Sequence, residues 1–203
     1  TATTEIYTLS LHDALPIYGH LKDWPVLAER LAEIDEVTGF APYIFAQAML
    51  AKGNATTGAL VRGIVPGQER SVSKVLNNFR SGDLDEFNSG NWGVALGSEL
   101  ASKLGAVTGD KITVIAPRGR VSIAGTLPRL KRFIVVAIFE LGMYEYDSTL
   151  ALIHIDDAAQ LFQTRGAVSG LRLSVENIYR APLVRANIER KLGSEYLVSD
   201  WTR

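Results

Sequence analysis

Two acidic pairs, Glu145/Asp147 and Asp156/Asp157, two histidines, His20 and His154, and a cationic cluster are the residues of this chain best equipped for chemistry. A carboxylate pair works as general acid and base only where its surroundings drive the two proton affinities apart. Glu145 and Asp147 instead stand in a turn beside two tyrosines, where acids satisfy local backbone donors. Asp156 and Asp157 are placed to cap a short helix. A zinc site needs three or four ligands. No carboxylate has ligand spacing to both histidines, and His154 shares a strand face with Leu150 and Leu152, so it reads as structural. No Gly-x-Ser-x-Gly elbow occurs, and the histidines are too few for a triad. The glycine-rich phosphate loops Gly-x-x-x-x-Gly-Lys-Ser/Thr and Gly-x-Gly-x-x-Gly are absent. If ATP drives the function, another subunit must supply that site. The cations Arg118, Arg120, Arg129, Lys131 and Arg132 lack interleaved aromatics and lie in a neutral chain. They read as a solvated loop or a protein contact, with no nucleic acid implied.

The elements that would position these groups centre on residues 127–162. A cationic turn, Pro128 to Arg132, runs into the apolar stretch Phe133–Phe139. Its length and its β-branched and aromatic content predict a strand buried on both faces. Gly142–Asp147 then turns the chain into a second apolar strand, Leu150 to Ile155, and two strands so joined form the expected centre of a sheet. Before them, Asp23 and Pro25 open an amphipathic helix carrying Leu27, Leu31 and Ile34. Val37 to Met49 should be extended, with an interruption at Ala41-Pro42. Gly53-Asn54 turns it into Thr57–Ile64 as a hairpin, which Val65-Pro66-Gly67 ends.

A helix is expected over Ser71–Phe79 with Val72, Val75, Leu76 and Phe79 inward, then a loop at Ser81-Gly82-Asp83. Val94–Leu96 reads as a strand, and Ser98–Leu104 as a helix that Gly105 closes with a left-handed cap. Gly109-Asp110 turns into the strand Lys111–Ala116, and Pro117–Pro128 reads as a protruding hairpin loop. Gly170–Val175 alternates so as to leave Arg172 and Ser174 on a solvent side. Pro182 opens a helix with Leu183, Ala186, Ile188 and Leu192, and Tyr196–Val198 is a last strand. Because the two ends echo each other around a β-rich middle, the pattern predicts an α+β fold: a split α/β part carrying an insertion.

A length of 203 residues allows one ordinary domain or two small ones. The chain is 47% hydrophobic and 21% charged with formal net charge −1, which recommends neither nucleic acid nor an anionic membrane. It has no cysteine, so disulfides and thiolate metal sites are excluded. No apolar run approaches the roughly 20 residues that span a bilayer, and the chain as given reads as soluble. Residues 1–17, TATTEIYTLSLHDALPI, match residue for residue the in-frame translation of a sequencing-library adapter. They are expected to be non-native, which removes His12 and Asp13 from any site and leaves the preceding native sequence unknown.

Several stretches together resemble the periplasmic domain of the lipoprotein-releasing ABC permease family, LolC and LolE. They are Ala41-Pro42-Tyr43, Val61-Arg62-Gly63-Ile64-Val65-Pro66, Leu96-Gly97-Ser98-Glu99-Leu100-Ala101, Gly109-Asp110-Lys111-Ile112-Thr113, Leu127-Pro128-Arg129, Gly142-Met143-Tyr144-Glu145-Tyr146-Asp147 and Asp200-Trp201-Thr202-Arg203. They occur in the family's order, and Gly-Met-Tyr-Glu-Tyr-Asp is the most specific of them. The resemblance implies a fragment, with one transmembrane helix before it and three after it, anchored in a bacterial inner membrane and facing the periplasm. It implies a porter-like α/β part, residues 18–80 with 166–203, and an inserted β-rich sabre-like part, residues 81–165.

The resemblance also implies a non-catalytic subunit without a cofactor. Its partners would be the ATPase LolD, a second permease subunit or a second copy, the periplasmic chaperone LolA, and lipoprotein cargo. A hook loop of about 117–129 would capture the chaperone, with Pro117, Arg118, Arg120, Pro128 and Arg129 as its contact residues. A related exporter working with an outer-membrane channel is the alternative, and a free-standing enzyme or ligand-binding protein is the third reading.

Overall fold

A computed structural model describes residues 6–11, 21–73, 75–82, 87–122, 125–193 and 196–199. Its mixed α+β architecture grows from one long hairpin. Gly53-Asn54 folds Val37–Lys52 (β2) onto Ala55–Ile64 (β3) in a ladder from Tyr43↔Ile64 to Lys52↔Ala55. Gly53 takes φ 56°, which glycine accepts without a Cβ clash. The interruption expected at Ala41-Pro42 is absent. The same steric rule that bars Ala41 from the helical region keeps it extended, and β2 continues through Pro42 against Leu171.

The hairpin is part of a closed barrel. β3 pairs in parallel with Leu150–His154 (β8), and β8 pairs antiparallel with Gly93–Gly97 (β5). β5 pairs in parallel with Gly125–Phe139 (β7), and β7 antiparallel with Lys111–Ser122 (β6). β6 returns to β2 through Met49↔Ile115, Leu50↔Val114 and Ala51↔Thr113, which closes the ring. The barrel thus takes strands from both stretches of the expected porter and sabre division. Phe79–Gly82 (β4) adds to the free edge of β7.

On the other side, Gly170–Val175 (β9), Ile6–Leu11 (β1) and Tyr196–Ser199 (β10) continue the sheet from β2. β1 belongs to the stretch expected to be adapter-derived. Its IYTLSL sequence has the aromatic, β-branched and alternating character that a gap between two strands accepts.

The central pair differs from expectation. β7 and β8 are not neighbours, because β5 lies between them. Their connection is not a tight turn: Tyr144–Thr149 forms a helix that steps the chain across one strand. β7 is buried on both faces only over Val135–Ala137, while Ile134 is 38% exposed.

Inside the barrel, Leu50, Val61, Leu96, Ile112, Phe133 and Ile153 form one core. Trp24–Ala32 (α1), Ser98–Leu104 (α3) and Ile155–Phe162 (α5) pack their apolar residues into that core. Leu27, Ala28 and Leu31 face inward as the periodicity predicts, and Gly105 closes α3 at φ 58°.

A second core lies on the outer face, where Val75, Leu76 and Phe87 cover Ile64, Ala95, Phe139 and Leu152. The helix expected over 71–79 is replaced there by Pro66–Val72 (α2), a 3-10 turn at Val75–Asn77 and then β4. Pro66 does not end the hairpin alone; it starts α2, since its fixed φ suits a first helical turn. Asp83 lies outside the described residues.

Arg172 and Ser174 are also corrected. α2 packs over β9, so their side of the strand is buried rather than solvated, Ser174 being 2% exposed. In Ala181–Leu192 (α6), Val184 and Ile188 face inward, while Leu183, expected to do so, is exposed.

Candidate functional site

The expected hook is a ribbon. Beyond the pair Ala116↔Arg129, β6 and β7 pair only with each other among the described residues, through Arg120↔Leu127, Val121↔Thr126 and Ser122↔Gly125. A bulge between Ala116 and Arg120 kinks the ribbon where it leaves the barrel. Residues read as loop are therefore mostly strand, with the tip at 123–124 outside the described residues. Pro117 and Pro128 are exposed, and the side chains of Arg118 and Arg120 lie outside the description.

Arg129 is held at the ribbon base, unlike the exposed Pro117 and Pro128. Its guanidinium donates to Gln163 Oε1 and to the Leu161 carbonyl at 3.4 Å, and so ties the ribbon base to the end of α5. Its Nε is buried without a partner. Lys131 lies 3.8 Å above the Trp92 ring, which meets Phe133 edge-on at 5.3 Å. Sequence spacing could not reveal that Trp92 supplies an aromatic partner to this cationic cluster.

The Gly142–Asp147 motif is built around one buried carboxylate. Asp147 accepts the Leu141 N–H at 2.7 Å and the Gly142 N–H at 3.0 Å. Those bonds fix the bend that enters α4 (Tyr144–Thr149), with Gly142 at φ 74°. The role expected for these acids, satisfying backbone donors, thus falls to Asp147, while Glu145 is exposed. Met143, Tyr144 and Tyr146 are exposed as well, and Lys103 reaches over the Tyr144 ring.

The second acidic pair does not cap α5. His154 does so, with Nδ1 accepting the Asp156 N–H at 3.3 Å. Asp157 is buried and accepts the Gly90 and Trp92 N–H groups, pinning the strained backbone of Trp92 at φ 53°. Among the described residues, no group of three His, Asp or Glu could hold a metal ion. His20 lies outside them.

Two further features had no sequence signal. First, Glu69 on α2 is fully buried and pairs with Arg172 of β9, with Arg62 of β3 close by. Burial holds the Arg62 guanidinium below the usual arginine range, and the charge of Arg172 adds to that. Second, an apolar groove of about 520 Å³ lies on the outer barrel face between the ribbon and α4. Gln47, Met49, Gly58, Leu60, Ile115, Pro117 and Thr149 line it, with Ala48 and Ala59.

No protein-family model matches the chain. Among curated proteins, it is 37% identical over 181 residues to the lipoprotein-releasing system transmembrane protein LolC of Neisseria meningitidis, covering 89% of this chain and 44% of that one. It is 35% identical over 196 residues to LolC of Xylella fastidiosa strain Temecula1, covering 96% of this chain and 47% of that one. The chain therefore spans less than half the length of these relatives.

Among solved structures, it matches the extracellular domain of the noncanonic ABC-type transporter YknZ from Gram-positive bacteria, with TM-score 0.62, 14% identity and coverage of 98% and 100%. The periplasmic region of MacB from Actinobacillus actinomycetemcomitans matches with TM-score 0.62, 12% identity and coverage of 97% and 88%. At such identities the structures speak for the fold alone. No helix among the described residues is long and apolar enough to cross a membrane. By sequence the chain is similar to somewhat less than half of the LolC proteins of lipoprotein-releasing systems, and its fold is similar to that of the YknZ extracellular domain and the MacB periplasmic region.

Proposed function

We propose that this chain is the periplasmic domain of an inner-membrane permease subunit that releases lipoproteins and passes them to a soluble chaperone. The observation that carries the reading is its 35–37% identity to LolC proteins over about nine-tenths of its length. A separate ATPase subunit of the LolD type would supply the energy, and a second permease subunit or second copy would complete the pair. In the two-part reading, residues 18–80 with 166–203 form the porter and 81–165 the sabre that carries the ribbon.

The ribbon would capture the chaperone LolA. Pro117, Pro128 and the cations Arg118 and Arg120 are its contact residues, while Arg129 braces its base. The fold likeness to MacB favours a second reading, an exporter domain working with an outer-membrane channel.

The test replaces Pro117–Pro128 with a two-residue Asn-Gly turn joining Ala116 to Arg129. Barrel pairing ends at those positions, so the variant should keep its circular dichroism and lose chaperone binding in titration calorimetry. A folded variant with unchanged affinity would sink the chaperone reading.

A further inference from the structure

Among the described residues, Trp92, Gln163 and Arg165 are the non-glycine positions held in the left-handed backbone region, at φ 53°, 54° and 55°. Glycine would adopt that conformation without strain, so a side chain kept there has to be held by its surroundings. Two of the three partner the cations Arg129 and Lys131 at the ribbon base. Gln163 accepts from Arg129, and the Trp92 ring lies under Lys131.

Arg129 and Lys131 are two positions apart on β7, just before the ribbon leaves the barrel, so they project from one face of the strand. That face is tied to α5 by two routes. The Leu161 carbonyl lies in the last turn of α5, beyond the reach of the helical ladder, and the Arg129 guanidinium donates to it. Farther back along the helix, Asp157 accepts the Gly90 and Trp92 N–H groups at 2.9 and 3.2 Å. The Ile134 N–H donates to the Trp92 carbonyl at 2.9 Å, so Trp92 is fixed from both sides. The helix itself is pressed onto β3, where a Cβ at Gly63 would come within 2.5 Å of the Ala158 Cβ. Trp92, Arg129, Lys131 and Gln163 also border a recess of about 320 Å³. Polar links rather than a close-packed seam therefore join the ribbon base to α5, and losing one frees the base without opening the core.

We propose that α5 holds the ribbon in one fixed direction. Gln163 and the Leu161 carbonyl act through Arg129, and Asp157 acts through Trp92 and Lys131, as positioning groups. Two anchors about 7 Å apart along a strand set a direction, where a single one leaves a pivot. A ribbon so fixed gives up less conformational entropy on binding. The effect on affinity rests on the reading of the ribbon as the chaperone-binding arm; the fixed direction does not.

The chain has no cysteine, so Ser122→Cys on the ribbon and Thr56→Cys on β3 can carry a pair of spin labels. Their distance distribution should be narrow in the parent chain and broad in Gln163→Gly and in Lys131→Met. Trp92→Phe, which keeps a ring under Lys131, should retain the narrow distribution, and Trp92→Leu should not. Gln163→Gly removes an anchor while relieving a left-handed residue, so its urea midpoint should stay at or above that of the parent. In titration calorimetry with LolA, unlabelled Gln163→Gly should lose about three- to tenfold in affinity, with the loss in the entropy of binding.

A narrow distribution in both Gln163→Gly and Lys131→Met overturns the positioning role. Broadening with unchanged LolA affinity overturns the effect on capture. If the ribbon-shortened chain binds LolA as the parent does, the capture reading fails, and the spin-label widths decide the positioning by themselves.

Discussion

Replacing Glu69 by Gln keeps the side chain's shape and removes its charge. Glu69 is 0% exposed, the Arg172 side chain 11%, and Arg62 stands half-buried beside them. In the variant, two guanidiniums share a low-dielectric site with no compensating carboxylate. Breaking one buried pair in this way costs about 3–5 kcal/mol. That is a large share of the ~5–15 kcal/mol by which domains are stable. Urea unfolding followed by tryptophan fluorescence should show the midpoint falling by roughly 1–3 M with an unchanged slope. Combining Glu69→Gln with Arg62→Met and Arg172→Met should recover most of the loss, since apolar residues of similar volume replace buried charges at little cost. A single-variant loss below about 1 kcal/mol, or no recovery in the triple variant, would refute the reasoning.

Gly97→Ala should destabilise the domain by about 1–3 kcal/mol or more, because the new Cβ falls within 2.9 Å of the Asp147 backbone. A urea midpoint equal to that of the parent chain would show that the close approach of β5 to α4 is absent. Just before β6 begins, at the end away from the ribbon, Lys52 and the Val107 N–H both donate to Asp110, at 2.6 and 2.8 Å. The Lys52 hydrogen bond first, and then that of Val107, holds the Asp110 carboxyl below the usual aspartate range. A folded pKa below the unfolded one contributes stability above the unfolded value, and loses it as pH falls from about 4 through the folded value. The stability gap between the parent chain and Asp110→Asn should therefore close on acidification from pH 7 to pH 3. A gap that widens over that range would contradict the assignment.

Features written in short stretches of chain were legible from sequence. The Gly53-Asn54 hairpin, the Gly105 cap and the first helix depend on residues a few positions apart, and each formed where the pattern placed it. The α+β class and the relation to LolC were likewise readable from the order of motifs. Gly142–Asp147 was visible as a turn whose acids bond backbone donors, but its helix was not, nor that Asp147 rather than Glu145 does the bonding.

Long-range pairing lay outside that reach. Whether β7 meets β8 or admits β5 between them turns on a parallel pairing across some forty residues, which no local periodicity encodes. Alternation in β9 predicted a wet face, yet α2 covers it, so Arg172 is buried against Glu69. Pro66 read as an end became a beginning for the same reason, since only packing over β2 and β9 rewards a helix there. The sequence by itself determined several local elements and the near-neutral charge balance. Tertiary structure alone decided the barrel closure, the role of Arg129 as a brace and the apolar groove on the outer barrel face, because each depends on residues brought together from distant strands.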